Sequence, residues 1–295
     1  MSNVTSEIAK EETINEKVRP AMPEANETAA EIAELLKKKI ASGYTAVYMN
    51  TLGKEVGFRE IGANEQKSLS RVMIGNENRK DIIYDTQCAT INTAALLDGF
   101  DIYQCTELER LKVLIALYQA NMFNNDVQFT CKECGSENKF KLNFESVIRK
   151  LDEIDIVPKD FRYESKNFTY EFKCAYPSVK LVSKFHKQYF ARHKNISKRD
   201  VKVNDQMSNM EYIDLFIAGL KIADNGGNVI KDIDFKRFKP EDIETILGVL
   251  PQDVLYSDNG VLQFITKEFL QKMNDSFDKH KCTHCGAIQE EENSN

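Results

Sequence analysis

The sequence predicts an α+β fold that is mainly helical, with short antiparallel strands. Three observations lead to this class: long stretches with helical apolar spacing, short β-rich runs beside turn residues, and two matching CxxCG motifs at 131–135 and 282–286. The 295 residues are enough for one large domain or two ordinary ones, and 42% are hydrophobic, so a sizeable core can form. No apolar run approaches the ~20 residues that a membrane-spanning helix needs.

The N-terminal part of the chain divides into two segments. Residues 1–25 are rich in Glu, Asn, Thr and Lys, which predicts disorder. They lack the apolar stretch of a secretory signal, which favours a cytosolic protein. Residues 26–143 are predicted to form a helical domain that also contains a hairpin and the first CxxCG motif. Its opening stretch, 26–41, places acidic residues before basic ones, an order that suits a helix dipole.

A β-hairpin and three helices are predicted before the first cysteine motif. Two β-rich runs flank the turn residues 50–53, which indicates the hairpin. From about 63 to 121, apolar residues recur at helical spacing. The third helix begins with a capping box from Thr106 to Glu109 and should be a core helix with one apolar face. The residues of that face are Leu108, Leu111, Leu114, Ile115 and Tyr118.

The second half of the chain is predicted to be an insert between two cysteine motifs. Residues 126–143 should form a strand, the first CxxCG turn and another strand. Residues 144–280 should form a mainly helical insert, with a strand or hairpin after 162 and a helix over 208–222. Residues 281–295 contain the second motif and a tail that is expected to be disordered.

The two CxxCG motifs together predict a metal site. In such a turn two thiolates converge on one ion, and the glycine can take the left-handed conformation that lets backbone N–H groups approach sulfur. Zinc in closed structural sites prefers four thiolates, and two motifs supply them. The sequence therefore predicts a zinc-ribbon-like site with structural zinc as its cofactor. The metal ligands would be Cys131, Cys134, Cys282 and Cys285.

The two motifs are about 150 residues apart, far more than in ordinary zinc ribbons. Closing such a loop costs roughly 4–5 kcal/mol, whereas structural zinc provides about 10–16 kcal/mol, so the separation does not exclude the pairing. Two alternatives stay open: a redox-active CxxC pair at a helix start, and two half-sites that a second subunit completes. His284 could also serve as a ligand, but a histidine inside such a turn is more often exposed or placed behind the ligands.

The sequence contains no common catalytic signature. HExxH, GxGxxG after a strand, the P-loop motif and GxSxG are all absent. His186 and His193 would share a face of one predicted helix, for which a solvated basic face is the simpler interpretation. Cys88, Cys105 and Cys174 are expected to be small buried apolar residues. Because a closed four-thiolate site also leaves no position for substrate, we expect a protein that is not an enzyme.

One segment, 180–202, is strongly basic, with eight Lys or Arg residues against one Asp and with aromatic residues between them. It is either a face that binds nucleic acid or an acidic protein, or a solvated helix surface. The net charge of −6 argues against binding nucleic acid through bulk charge. The candidate partner-binding residues are Lys180, Lys184, Lys187, Arg192, Lys194, Lys198 and Arg199.

Three stretches taken together resemble a known family. A hairpin leads into GFREIGANEQKSLSRVM, a helical region follows with DIIYDTQCATI and ELERLKVLIALYQANMF, and VQFTCKECGSENKFKLNFESVI comes directly afterwards. In this order, over roughly residues 44–155, the chain resembles the baseplate hub assembly proteins of T-even-like contractile-tailed bacteriophages. The resemblance carries a metal role to Cys131 and Cys134, while Cys282 and Cys285 rest on the zinc argument alone.

The resemblance implies a non-enzymatic component or assembly chaperone of the phage baseplate hub, onto which the tail tube is later assembled. Its partners would be other hub and tail proteins. Its location would be the host cytoplasm during assembly or the tail baseplate of the virion. The alternative is a zinc-ribbon nucleic-acid-binding protein such as a viral transcription factor, although nucleic acid is not the expected partner and no membrane span is expected.

Overall fold

The computed structural model describes the following residues: 28, 31, 44–76, 79–121, 126–192, 211–277 and 280–289. The chain separates into two units, 1–42 and 43–295. In the first unit the description covers Thr28, whose N–H donates to Glu31 Oε2 at 2.7 Å. The disorder predicted for residues 1–25 and for the tail from 290 lies outside the described residues.

Consecutive pairs of strands are separated by one or more helices along the described part of the second unit. The strands are β1 Tyr44–Met49, β2 Lys54–Arg59, β3 Asp126–Thr130, β4 Glu137–Lys141, β5 Lys159–Glu164, β6 Phe168–Cys174, β7 Ile217–Asp224, β8 Val229–Asp234, β9 His280–Lys281 and β10 Ile288–Gln289. The helices are α1 Ala63–Gly75, α2 Lys80–Ala94, α3 Glu107–Ala120, α4 Phe144–Asp152, α5 Val179–Arg192, α6 Pro240–Leu247, α7 Gln252–Tyr256, α8 Val261–Ile265 and α9 Gln271–Asp275. A π-helical turn, Thr266–Leu270, joins the last two.

The strands form three hairpins and one larger sheet. β1 pairs with β2, β3 with β4 and β9 with β10, while the fourth sheet has the order β5-β6-β7-β8. Every pair is antiparallel. This mixture of helices and antiparallel strands confirms the α+β class. Among the described helices, none combines the length and the apolar composition that crossing a bilayer requires.

Two hydrophobic cores share helix α3. Leu108 and Ile115 belong to a core formed with β6, β7, α4 and α6–α8. Val113 and Leu117 belong to a second core formed with β1, β2, α2 and α5. The helix is therefore buried on two sides, whereas the sequence predicts a single apolar face, and Tyr118 from that face is 42% exposed. Both cores draw residues from before and after position 143, so the segment 144–280 packs directly against the preceding helices.

A fully buried carboxylate, Glu109, joins the first hairpin to α3. It accepts hydrogen bonds from the N–H and Oγ1 of Thr51, in the predicted hairpin turn, at 2.7 and 2.6 Å. It also accepts bonds from the N–H and Oγ1 of Thr106 at 2.8 Å each, and the predicted capping box is thereby confirmed. The ion pair between Lys112 Nζ, 1% exposed, and Asp152 Oδ1 at 2.8 Å links α3 to α4.

The segment after α4 contains more strand than the sequence predicts. The sheet β5–β8 occupies positions 159–234. The helix expected over 208–222 is present at 211–213 and wrong beyond them, because Asp214–Phe216 form a 3₁₀ turn and β7 follows it, paired with β6 on one side and β8 on the other. The sequence of β7, IAGLKIAD, does not alternate strictly between apolar and polar residues, so its period does not distinguish it from a helix.

Candidate metal centre

Each CxxCG motif forms the tip of a β-hairpin. Residues 131–135 connect β3 to β4, and residues 282–286 connect β9 to β10. Gly135 N–H donates to the Cys131 carbonyl at 2.8 Å, and Gly286 N–H donates to the Cys282 carbonyl at 2.9 Å. Both glycines have a left-handed φ, 70° and 74°, which a residue with a side chain adopts only with strain. The strand–turn–strand arrangement predicted for 126–143 is confirmed.

The two turns face each other and bring four sulfur atoms together, all within 4.8 Å of one another. The Sγ atoms of Cys131 and Cys285 are 3.6 Å apart, as are those of Cys134 and Cys282. A tetrahedral ion with metal–sulfur bonds of about 2.3 Å requires sulfur–sulfur edges of about 3.8 Å. The predicted cysteines thus fit the coordination sphere of one metal ion.

The cluster has a buried side and a solvent side. Cys131 and Cys282 are 1% and 3% exposed, whereas Cys134 and Cys285 are exposed. The hydroxyl of Ser136 lies 3.3 Å from Cys134 Sγ, and this hydrogen bond lowers the pKa of Cys134. An ion can therefore enter from the side of the exposed pair, while the buried pair fixes the depth at which it binds.

Backbone N–H groups favour the thiolate form of Cys282. The N–H groups of Cys285 and His284, the latter 3.4 Å from the sulfur, are the main causes that lower the pKa of Cys282 to about 6. At Cys285 the Ala287 N–H acts in the same direction, but the neighbouring thiols, Cys134 first, outweigh it and raise the pKa to about 12. Without an ion the cluster does not carry four negative charges, and a bound cation is what makes four thiolates compatible.

Asn138 connects the two turns, and sequence reasoning missed it. This residue of β4 is 3% exposed. Its Nδ2 donates to the Ser136 carbonyl at 2.9 Å and lies 3.5 Å from Cys282 Sγ. Its Oδ1 accepts bonds from the N–H and the hydroxyl of Thr283 at 2.8 and 2.9 Å. One side chain of the central hairpin therefore holds the C-terminal turn in place, apart from any metal.

The geometry bears on the alternatives that the sequence leaves open. The first motif does not start a helix, as a redox-active pair would, because strand β4 follows it. All four sulfur atoms come from one chain, so no second subunit is needed to complete the set. His284 is exposed and contributes its backbone N–H to the cluster.

The remaining cysteines and His186 are packing residues. Cys88, Cys105 and Cys174 are at most 1% exposed, and burial raises the pKa of each thiol to about 12, as expected of buried apolar residues. His186 differs from the solvated face expected of it, since its ring lies 5.0 Å from that of Tyr84 and burial lowers its pKa to about 4. The second histidine of that expected pair, at position 193, lies outside the described residues.

The predicted basic face is partly described. Its described members all lie on α5: Lys180, Lys184, Lys187 and Arg192. Lys187 Nζ forms an ion pair with Asp85 Oδ2 at 2.6 Å. Arg192 pairs with Glu244 Oε2 at 2.7 Å. Two of these four cations are therefore already balanced within the chain. The other predicted members lie outside the described residues: Lys194, Lys198 and Arg199.

No family model, no curated protein and no solved structure matches this chain. The fold and the site by themselves define a mixed helix-and-sheet protein. In this protein a central hairpin and a C-terminal hairpin share one candidate metal centre.

Proposed function

We propose that Cys131, Cys134, Cys282 and Cys285 bind one zinc ion in a closed structural site. The observation that carries this proposal is the convergence of sulfur atoms whose residues lie 148 and 154 positions apart in the sequence. Soft thiolates select zinc, copper(I) or iron–sulfur clusters. Sulfur atoms within 4.8 Å of one another suit a single tetrahedral ion better than a cluster, which spreads its ligands further apart. Zinc is the usual ion of such a four-thiolate site.

A zinc ion held by four protein thiolates has no open position for water or substrate, which supports a non-enzymatic role. The role that fits the resemblance is that of a baseplate hub component or assembly chaperone of a contractile-tailed phage. The resemblance rests on the sequences of the hairpin β1–β2, the helices α1–α3 and the hairpin β3–β4. The protein would act in the host cytoplasm during assembly or remain in the baseplate, with hub and tail proteins as partners.

Metal analysis of the purified protein tests the site. The wild-type chain should contain close to one zinc ion per chain, and Cys282→Ser should lose it together with thermal stability. Thr283→Ser is the matched control, because it keeps the N–H and the hydroxyl that bond to Asn138. Equal zinc content and equal melting temperature in wild type and Cys282→Ser would refute the zinc site, and iron in place of zinc would correct the identity of the ion.

Recovery of the tagged chain from infected cells tests the role. Mass spectrometry should find hub and tail proteins with the wild-type chain, and their absence would contradict the proposal. Salt-dependent DNA binding that Lys180→Glu and Lys184→Glu abolish would support the nucleic-acid alternative instead. The metal measurement does not depend on this outcome, so the site and the role are tested separately.

A further inference from the structure

Strand β1 is an open sheet edge without the usual protection. Within the described residues it pairs with β2 alone. Its sequence, YTAVYM, has no charged residue and no proline, and among the described strands longer than two residues it is the one that lacks a charge. Edge strands normally carry such residues because an unprotected edge pairs with other chains. By contrast, the edge strand β8 carries Lys231, Asp232 and Asp234.

The exposed residues of β1 are apolar or aromatic. Tyr44 is 71% exposed and Tyr48 46%, and Ala46 between them is also exposed. Val47 and Met49 point to the opposite side, where they are part of a hydrophobic core. The strand is therefore anchored by one face, and no described strand pairs with its second edge.

The backbone groups of the same residues point to the open edge. Leu96 N–H donates to the Gly57 carbonyl at 2.9 Å, so this carbonyl points away from β1. Gly57 is opposite Ala46 in the hairpin, which makes this a pair without mutual hydrogen bonds. Since such pairs alternate with bonded pairs, the N–H and C=O groups of Tyr44, Ala46 and Tyr48 point away from β2, towards the free edge.

This pattern is complementary to a second copy of itself. A two-fold axis perpendicular to the sheet at Ala46 would place Ala46 opposite Ala46 of the second copy, and Tyr44 opposite Tyr48. These three pairs are the bonded kind, with about six backbone hydrogen bonds between the copies. The small alanine lies on the axis, and aromatic pairs lie on either side of it. Opposite charges, Glu55 and Arg59, would lie at the two ends of each tyrosine row, because they face Tyr48 and Tyr44 in the hairpin.

We propose that β1 is a self-association edge, through which two copies of this chain join their hairpins into one four-stranded antiparallel sheet with Ala46 on the two-fold axis. A six-residue strand buries less area than a standard stable interface, so the dimer belongs to the weak, concentration-dependent class. The expected dissociation constant is on the order of 10 µM. The proposal is independent of the metal centre and of the role in phage assembly.

Sedimentation of the full, zinc-loaded chain over a concentration series from about 1 to about 200 µM tests this, since a dimer must follow mass action. The wild type should shift from monomer to dimer. Ala46→Lys should weaken dimerisation at least about tenfold, because it puts like charges opposite each other at the axis. Ala46→Pro removes the N–H that points to the free edge and leaves the hydrogen bonds to β2 in place. It should therefore weaken dimerisation as much as Ala46→Lys does. Leu96→Lys, which adds the same charge at a 54% exposed position beyond β2, should dimerise as the wild type.

Dityrosine cross-linking by photo-oxidation identifies the register. Within one strand, Tyr44 and Tyr48 are about 13 Å apart, so a Tyr44–Tyr48 dityrosine forms only between two copies. Mass spectrometry should find this cross-link in the covalent dimer of the wild type, and Ala46→Lys should lose it. A chain that stays monomeric throughout the series would overturn the proposal. So would a dimer that Ala46→Lys and Ala46→Pro both leave unchanged, or one cross-linked at other tyrosines alone.

Discussion

Replacing Asn138 tests whether a side chain, and not only the proposed metal ion, joins the two CxxCG turns. Asn138→Ala removes the acceptor of the Thr283 N–H and hydroxyl and the donor to the Ser136 carbonyl. It also removes the amide group 3.5 Å from Cys282 Sγ. Cys282, a proposed zinc ligand, would then lose a neighbour that fixes the position of its sulfur atom and stabilises its negative charge.

The size of the effect follows from two independent estimates. A hydrogen bond contributes about 0.5–1.5 kcal/mol net, so the loss of the three bonds to Thr283 and Ser136 should cost about 1.5–4.5 kcal/mol of stability. Removing a group that orients a metal ligand usually lowers metal affinity about 10–100-fold, which corresponds to about 1.4–2.8 kcal/mol. The two ranges overlap, and we expect a zinc affinity that is about 10–100-fold lower in Asn138→Ala.

Competition with a chromogenic zinc chelator measures this affinity. Asn138→Asp separates the two functions of the side chain, since it retains the acceptor for Thr283 but replaces the amide donor with a negative charge near the Cys282 thiolate. It should therefore bind zinc at least as weakly as the alanine variant. Lys139→Ala, an exposed neighbour on the same strand, is the control and should match the wild type. An Asn138→Ala protein with zinc affinity within twofold of the control would refute this account of Asn138.

Three further predictions concern the scaffold and the turns. Glu109→Gln cannot accept all the bonds that Thr51 and Thr106 donate to the carboxylate, and it should lower the free energy of unfolding in urea by about 2–4 kcal/mol. His186 has a folded-state pKa of about 4 against an ordinary 6.5, so between these values the unfolded chain binds a proton that the folded chain does not, and stability falls as pH falls. The stability advantage of the wild type over His186→Gln should shrink by roughly 1–3 kcal/mol from pH 6.5 to 4.5 in matched urea titrations, and a constant difference would contradict this. Gly135→Ala forces a side chain into a left-handed φ of 70° with no clash nearby, so backbone strain alone should lower the melting temperature of the zinc-loaded protein, by about 1–2 kcal/mol of stability.

Local signals in the sequence predicted the local structures. The turn at 50–53, the capping box and the two CxxCG turns each depend on a few adjacent residues, and each is found where the sequence places it. Pairing the two motifs required only the coordination number of zinc, because two cysteines cannot fill a tetrahedron.

Features that depend on tertiary context were not predictable in this way. β7 was assigned to a helix because its sequence, IAGLKIAD, lacks a strict alternation of apolar and polar residues, and its pairing with β6 and β8 is evident only from the fold. Helix α3 contacts two cores, whereas a single amphipathic period predicts one buried face. The role of Asn138 depends on its contact with Thr283, which lies 145 positions away in the sequence. Nothing in the local sequence distinguishes it from other polar residues of a strand.

The C-terminal hairpin has few contacts of its own, so the proposed metal ion should matter most there. β9 and β10 contribute two residue pairs, and none of residues 281–287 belongs to either hydrophobic core. A two-stranded ladder this short is marginal by itself, and the contacts of Asn138 supply only part of what holds it against the central hairpin. Chelation of zinc should therefore release residues 280–289 while both cores stay folded. Hydrogen exchange of the chelated wild type should show protection lost in β9 and β10 and retained in α3. Loss of protection throughout α3 at the same chelator concentration would show instead that the metal centre stabilises the whole fold and not only the hairpin β9–β10.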